Sequence, residues 1–168
     1  MHPMVQFGLR AMRSAAEQFV RIRERIENSH DEHNLDRLLE DAGRNVETLV
    51  ANQLSRGYPE HGVSGRYIPY REGQGEGGDH HWKIEPFHGY SNLSVAGSGF
   101  ALSLVCLVKG RPEHAIVICP FADTEFLASR GRGAQRNGKR IRVPKTTAIA
   151  GSRLAMGLPE MWLRPRHL

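Results

Sequence analysis

A carboxylate and three imidazoles lie close together in the middle of the chain, where they could act as metal ligands. Glu85 and His88 are three residues apart, and His80 and His81 precede them. Imidazole nitrogen suits Zn²⁺, Cu²⁺ or Ni²⁺, whereas carboxylate oxygen suits Mg²⁺. In an extended strand, His81 and Glu85 would share one face and His80 would lie on the other. Because no spacing matches a known tetrahedral motif, we favour ordinary polar residues over a zinc site.

A second group of side chains that could do chemistry is cationic. Residues 130–145 carry seven basic side chains and no acidic one, and the chain has a net charge of +5. Such a run could contact RNA phosphates, but surface charge runs are usually solvated, and we favour that interpretation. Asn137-Gly138 predicts a turn, so strand pleating would divide the cations between two faces. The candidate RNA-binding residues are Arg130, Arg132, Arg136, Lys139, Arg140 and Arg142.

Hydrophobic periodicity predicts the elements that must position these side chains. Apolar residues recur at helical spacing from Val5 to about Glu27, and again from Leu35 to Leu54 before a stop at Gly57 and Pro59. Residues 28–34 and 71–81 are polar and predict loops. Strands are expected at 82–85, 100–108, 114–119 and 125–129, with one more at 152–156.

Helices followed by strands predict an α+β fold, with two N-terminal helices packed on a mainly antiparallel sheet. Strand alternation puts Phe100, Leu102 and Leu104 on one face. The expected core residues are Trp82, Phe100, Leu102, Leu104 and Val117.

Composition indicates a globular domain. The 168 residues are 39% apolar and 24% charged, which suits one domain with a sizeable core. We see no apolar run of membrane-spanning length and no apolar core of a signal peptide. Cys106 and Cys119 lie in apolar strand patterns and predict buried thiols, not a disulfide, so a cytoplasmic location is expected.

Several spaced motifs resemble the inositol monophosphatase family, in particular its bacterial SuhB-like members. The family signature is a Trp, a short apolar strand and then Asp-Pro-(Leu/Ile)-Asp-Gly-Thr-x-Asn-Phe. The opening Met1-His2-Pro3-Met4, the turn at 58–61, the hairpin at 109–117 and the segments 128–134 and 137–141 also resemble the family. The signature residues kept here are Trp82, Ile84, Pro86, Gly89 and Asn92.

The resemblance implies a Mg²⁺-dependent phosphatase whose metal-binding positions have changed. Mg²⁺ requires oxygen ligands at about 2.0–2.1 Å, and a two-metal site needs bridging carboxylates. The positions that match family metal ligands read Glu85, His88 and Arg66. Glutamate has a longer side chain than aspartate, histidine offers a nitrogen donor, and arginine is a cation. We therefore expect no catalytic residue, no bound metal and no other cofactor.

Other family positions have changed as well. The family uses a Thr and an Asp on its second helix to orient the attacking water, and these places read Glu40 and Gly43. The family threonine that follows Gly89 reads Tyr90. A negative charge at Glu40 would also repel an anionic substrate.

The family's remaining metal ligand lies in a C-terminal domain, and this sequence stops at Leu168. The resemblance therefore predicts a truncated chain, with the family's N-terminal domain at residues 1–157 and an irregular tail at 158–168. An apolar side that the family covers would be exposed, so we expect a homo-oligomer or pairing with a full-length family member.

Two function classes follow from the resemblance. SuhB-like members are known as phosphatases that also join a transcription antitermination assembly with RNA polymerase and Nus factors. The first class is therefore a catalytically inactive protein that acts by protein or RNA binding, with a role in transcription regulation. The alternative is a weakened Mg²⁺-dependent phosphatase acting on inositol monophosphate or a similar sugar phosphate. The changed ligands favour the first over the second, and do not separate it from a decaying gene product.

Overall fold

Two long antiparallel helices form one layer of the protein. The computed structural model describes residues 2–28, 32–89, 92 and 99–154. Helix α1 is Pro3–Glu27 and helix α2 is Glu32–Gly57. His2 caps α1, because its Nδ1 accepts a hydrogen bond from the Met4 amide at 3.3 Å, and Pro3 suits the first helical position.

The predicted loop at residues 28–34 is too long at its C-terminal end. Helix α2 already begins at Glu32, three residues before Leu35, the first buried residue of its apolar stripe. His33 and Asn34 are exposed in that first turn, so hydrophobic periodicity carries no signal there.

In the part of the chain that the structure describes, seven strands form one sheet whose spatial order equals their chain order. The first pair, β1 with β2, is parallel and all the other pairs are antiparallel, which confirms the predicted α+β fold. The strands are β1 Gly62–Ser64, β2 His80–His88, β3 Ala101–Val108, β4 Arg111–Cys119, β5 Thr124–Ser129, β6 Gly133–Arg136 and β7 Lys139–Ile141.

Three strand predictions are wrong. Strand β4 begins at Arg111, three residues before the predicted start at 114. Strand β2 is longer than expected, because its register shifts between Glu85 and His88 and lets pairing with β3 continue to His88. Residues 152–154 are not in a strand. The rest of that predicted strand, the domain boundary at 157 and the tail at 158–168 lie outside the described residues.

The helices pack on one face of the sheet and form the core. Trp82, Phe100, Leu102 and Leu104 are buried as predicted. Val117 is only half-buried, so its assignment to the core is wrong. The buried residues of β4 are His114, Ile116 and Ile118, and alternation turns Val117 to the opposite face.

Both cysteines are free thiols, as expected. Cys106 is buried and Cys119 is half-buried. None of the helices in the part of the chain that the structure describes is long and apolar enough to cross a membrane.

Candidate functional site

A buried carboxylate of α2 holds the loop that carries Arg66. Glu47 is fully buried, and its Oε1 accepts a hydrogen bond from the Arg66 amide at 2.7 Å. Its Oε2 accepts from the amides of Tyr67 at 2.7 Å and Ile68 at 3.0 Å. Gly65 packs directly on the same carboxylate, where any side chain would collide with it. Three hydrogen bonds to one anion therefore fix the position of this loop on α2.

Glu47 is not among the predicted site residues, although the sequence carries a signal for it. Glu47 is a single acidic residue beside Val46, on a helix face that also buries Val50 and Leu54. Buried charges are normally paired or hydrogen-bonded, so an acidic residue in an apolar stripe indicates a partner elsewhere in the fold.

Aromatic rings fill the space beside Gly43. A Cβ atom on Gly43 would lie 2.6 Å from Cε2 of Phe87 and 2.6 Å from Cε2 of Tyr67. The two rings meet edge to face, with centroids 6.4 Å apart. Gly43 therefore has a packing role: its missing side chain makes room for both rings, and an aspartate does not fit there.

Charged side chains surround the Tyr67 ring. The guanidinium carbons of Arg66 and Arg44 lie 5.4 Å and 5.8 Å from its centroid, within cation–π range. Burial raises the pKa of the Tyr67 hydroxyl, and the charge of Arg66 opposes this rise. Three carboxylates raise the pKa further, those of Glu40, Glu47 and Glu85. The structure thus gathers Glu40, Gly43, Arg66 and Glu85 around one ring.

His88 lies apart from this group, beyond the irregularity in β2. Its ring is exposed, and its Nε2 is 2.8 Å from the Ser103 hydroxyl. Gly89 follows with φ +78°, a conformation that favours glycine. Tyr90, the next family position, lies outside the described residues.

The remaining imidazoles of β2 have other partners. His81 Nε2 is 2.7 Å from the Ser64 hydroxyl, and its ring stacks on Tyr70. His80 lies on the opposite face, as alternation predicts, and stacks on His61. Within the described ranges, no three His, Cys, Asp or Glu side chains lie close enough together to hold a metal ion.

Of the three positions that match family metal ligands, Glu85 alone offers carboxylate oxygens, which are fewer oxygen donors than Mg²⁺ requires. Arg66 is a cation where the family has a carboxylate, and the Tyr67 and Phe87 rings occupy the space beside Gly43. Mg²⁺ requires several oxygen ligands in near-octahedral geometry, and neither an arginine nor an imidazole supplies them.

The candidate RNA-binding side chains do not share one face. Strand pairing sets Arg136 beside Lys139, whereas Arg140 pairs with Gln135 on the other face. Arg130 is already engaged, because it donates to the Pro112 carbonyl and its Nε lies 3.0 Å from a Glu113 carboxylate oxygen. The remaining two candidates are Arg132, which lowers the pKa of His114, and Arg142, which follows β7. The cationic side chains of the β6–β7 hairpin therefore lie on two faces, as in a solvated surface hairpin.

Comparison with known proteins identifies relatives over almost the whole chain. The model of the inositol monophosphatase family matches residues 1–160. Nus factor SuhB of Pseudomonas aeruginosa is 39% identical over 160 residues, which cover 95% of this chain and 59% of that protein. Nus factor SuhB of Escherichia coli is 32% identical over 164 residues with the same coverage. The chain thus spans about three-fifths of the length of the curated relatives it matches.

Solved structures share the fold. The crystal structure of extragenic suppressor protein SuhB from Bartonella henselae superposes with a TM-score of 0.73 at 23% identity, over 86% of this chain and 56% of that one. Inositol monophosphatase II from Staphylococcus aureus gives a TM-score of 0.71 at 19% identity, over 87% and 52%. The helix layer and the sheet are those of these proteins, and the chain belongs to the inositol monophosphatase family.

Proposed function

We propose that this chain is a catalytically inactive, SuhB-like protein that acts in transcription regulation by binding other macromolecules. The observation that carries the proposal is the site around Tyr67. Arg66 replaces a ligand carboxylate, and two aromatic rings fill the space beside Gly43. The name Nus factor, carried by relatives at 39% and 32% identity, supports the role in transcription.

The same site argues against phosphate ester hydrolysis. Phosphoryl transfer depends on cations that neutralise the developing charge and on groups that position the attacking water. Glu40 and Glu85 add negative charge beside Tyr67, and Arg44 and Arg66 offset it without supplying a metal ligand. The two family positions that orient the attacking water read Glu40 and Gly43 here.

A phosphatase assay tests whether the protein is catalytically inactive. Highly purified protein is incubated with inositol monophosphate and Mg²⁺, with and without EDTA. We expect no turnover above the EDTA control. Turnover that EDTA abolishes would contradict the proposal and favour the weakened Mg²⁺-dependent phosphatase.

A protein partner is favoured over RNA, because the cations of the β6–β7 hairpin are divided between faces. Affinity capture from the native cell tests this, scored for RNA polymerase, Nus factors and a full-length family member. We expect recovery of at least one of them. Light scattering of the purified chain tests the homo-oligomer in parallel.

RNA binding is the competing outcome and has its own control. Intact protein is compared with a variant carrying Arg136→Ala, Lys139→Ala and Arg140→Ala. Contact with single-stranded RNA would give a log–log salt slope of about −0.7 per phosphate, reduced in the variant. We expect equal, weak binding by both proteins, and a clear loss in the variant would shift the proposal to RNA.

A further inference from the structure

Four imidazoles gather at one end of the helix layer, where α1 begins and α2 ends. His2 caps α1, and its ring lies 4.4 Å from that of His114 in β4. His61 follows α2, and its ring is 4.5 Å from that of His80 in β2. Each pair joins the start of α1 or the turn after α2 to the sheet, and the charge of His80 also acts on His114, so we call the four residues the histidine cluster.

In two rings of the histidine cluster, Nδ1 is the acceptor of a hydrogen bond. Trp82 Nε1 donates to His61 Nδ1 at 2.9 Å, so this nitrogen carries no proton. The Met4 amide donates in the same way to His2 Nδ1 at 3.3 Å. A protonated Nδ1 is a donor and can no longer accept, so a proton on either Nδ1 would break its hydrogen bond.

The surroundings of His61 disfavour its charged form. The pKa of His61 is lowered from 6.5 to about 4, mainly by burial and also by the charge of His80, while the charge of Glu60 opposes the change. Tyr58 covers the other side of the ring at 4.7 Å and carries no charge at neutral pH, since burial raises its hydroxyl pKa against the effect of Arg10.

The surroundings of His114 act in the same direction. Burial lowers its pKa first, followed by the charges of His2, Arg132 and His80, and Glu113 is the one opposing group. The nearby Cys106 thiol stays neutral, because burial raises its pKa to about 12. His114 Nδ1 is 3.0 Å from the Ser129 hydroxyl. His80 Nδ1 is buried without a hydrogen-bond partner among the residues that the structure describes.

We propose that the histidine cluster is an acid-sensitive contact, in which protonation of His61 and His114 releases the start of α1 and the turn after α2 from the sheet. The opposite end of the helix layer is held by rings that do not titrate. Phe19 packs edge to face on Phe87 at 5.5 Å and on Phe100 at 4.8 Å. Opening is therefore local, and it uncovers Val5 and Leu9, which are buried in the closed form.

Amide hydrogen exchange of the whole chain at about pH 7.5 and about pH 5 tests the proposal. In the open form, His61 has its usual pKa of 6.5 and binds more protons at pH 5 than it does in the closed form. Acid therefore favours opening. With pKa values of 6.5 and about 4, His61 alone lowers the protection factor by about thirtyfold. The loss is expected at residues 3–9, 58–63 and 80–82, while residues 16–24 and 101–104 stay protected.

Matched variants separate this contact from general acid unfolding. His2→Asn with His61→Asn keeps an acceptor oxygen in place of each Nδ1 but cannot titrate. We expect the acid response to shrink well below thirtyfold, with the remainder coming from His114, whose pKa is lowered in the closed form. His33→Asn, on the exposed first turn of α2, should keep the full response. A response that persists in the double variant, or that spreads evenly over the chain, would overturn the proposal.

An NMR titration of the unaltered chain covers the case in which the double variant does not fold. The His61 ring resonance should stay that of a neutral imidazole down to about pH 5, and its midpoint should match the midpoint of local opening. Titration of His61 near pH 6.5 with unchanged amide protection would refute the acid-sensitive contact.

Discussion

Replacing Glu47 by glutamine tests how firmly the loop at residues 66–68 depends on one anion. The carboxylate accepts three amide hydrogens, one at Oε1 and two at Oε2. Glutamine keeps the shape but has a single acceptor oxygen, so at least one amide faces an NH₂ group. Each hydrogen bond to a charged group contributes about 1.5–3 kcal/mol, and an unpaired buried donor costs about 1–3 kcal/mol.

We therefore expect Glu47→Gln to lower the free energy of unfolding by about 2–4 kcal/mol. Glu47→Ala leaves all three amides unpaired and is expected to cost about 4 kcal/mol or more. For a chain of this size, 1 kcal/mol shifts Tm by about 2–4 °C, so the glutamine variant should melt roughly 5–15 °C lower.

Urea unfolding followed by far-UV circular dichroism measures the change, and trypsin cleavage after Arg66 reports on the loop itself. Glu17→Gln is the matched control, because Glu17 is exposed and forms an i,i+4 ion pair with the equally exposed Arg21 at 3.4 Å. The control should cost less than about 0.5 kcal/mol. If Glu47→Gln stays within about 0.5 kcal/mol of the control, with no faster cleavage at Arg66, the three hydrogen bonds do not fix the loop.

Three further predictions concern other parts of the chain. Gly43→Asp, which recreates the family residue, should destabilise the fold by about 2 kcal/mol or more in urea unfolding, because it overpacks two rings and buries a charge, and it should not create phosphatase activity. Cys106 should resist alkylation at about pH 8 until the chain unfolds, as mass spectrometry of its peptide would show, since burial raises its pKa to about 12 and the reactive thiolate is scarce. Arg13→Ala removes the ion pair with Glu125 at 2.7 Å, but the arginine is mostly exposed, so the loss in urea unfolding should stay below about 1 kcal/mol.

Local patterns predicted most of the fold, because they report on burial within a single element. The apolar stripe from Val5 onwards located α1, and alternation selected Phe100, Leu102 and Leu104. Elements with weak patterns were missed. Strand β1 has three residues and pairs in parallel with β2, a contact that depends on residues far along the chain.

Family motifs located the candidate site, but what fills it depends on long-range contacts. The resemblance pointed to Arg66, Gly43 and Glu85, and the structure brings all three to Tyr67. The packing of the Tyr67 and Phe87 rings beside Gly43 leaves no local pattern in the sequence. The hydrogen bonds to Glu47 leave none either, since their donors at residues 66–68 are 19 to 21 residues along the chain from it. The partners in the histidine cluster come from α1, the turn after α2, β2 and β4, a proximity that only the folded chain creates.

The chain-ordered sheet has a consequence for synthesis on the ribosome. Each strand pairs with its immediate predecessor, so the sheet can grow one strand at a time with short loop closures. The helices emerge first, yet the sheet residues that cover α1 extend to the end of β4 at Cys119. At translation rates of about 5–20 residues per second, the apolar stripe of α1 waits roughly 5–20 s for its partner surface. During that interval the nascent helix pair depends on its own contacts, such as Phe7 on Tyr58, or on a chaperone.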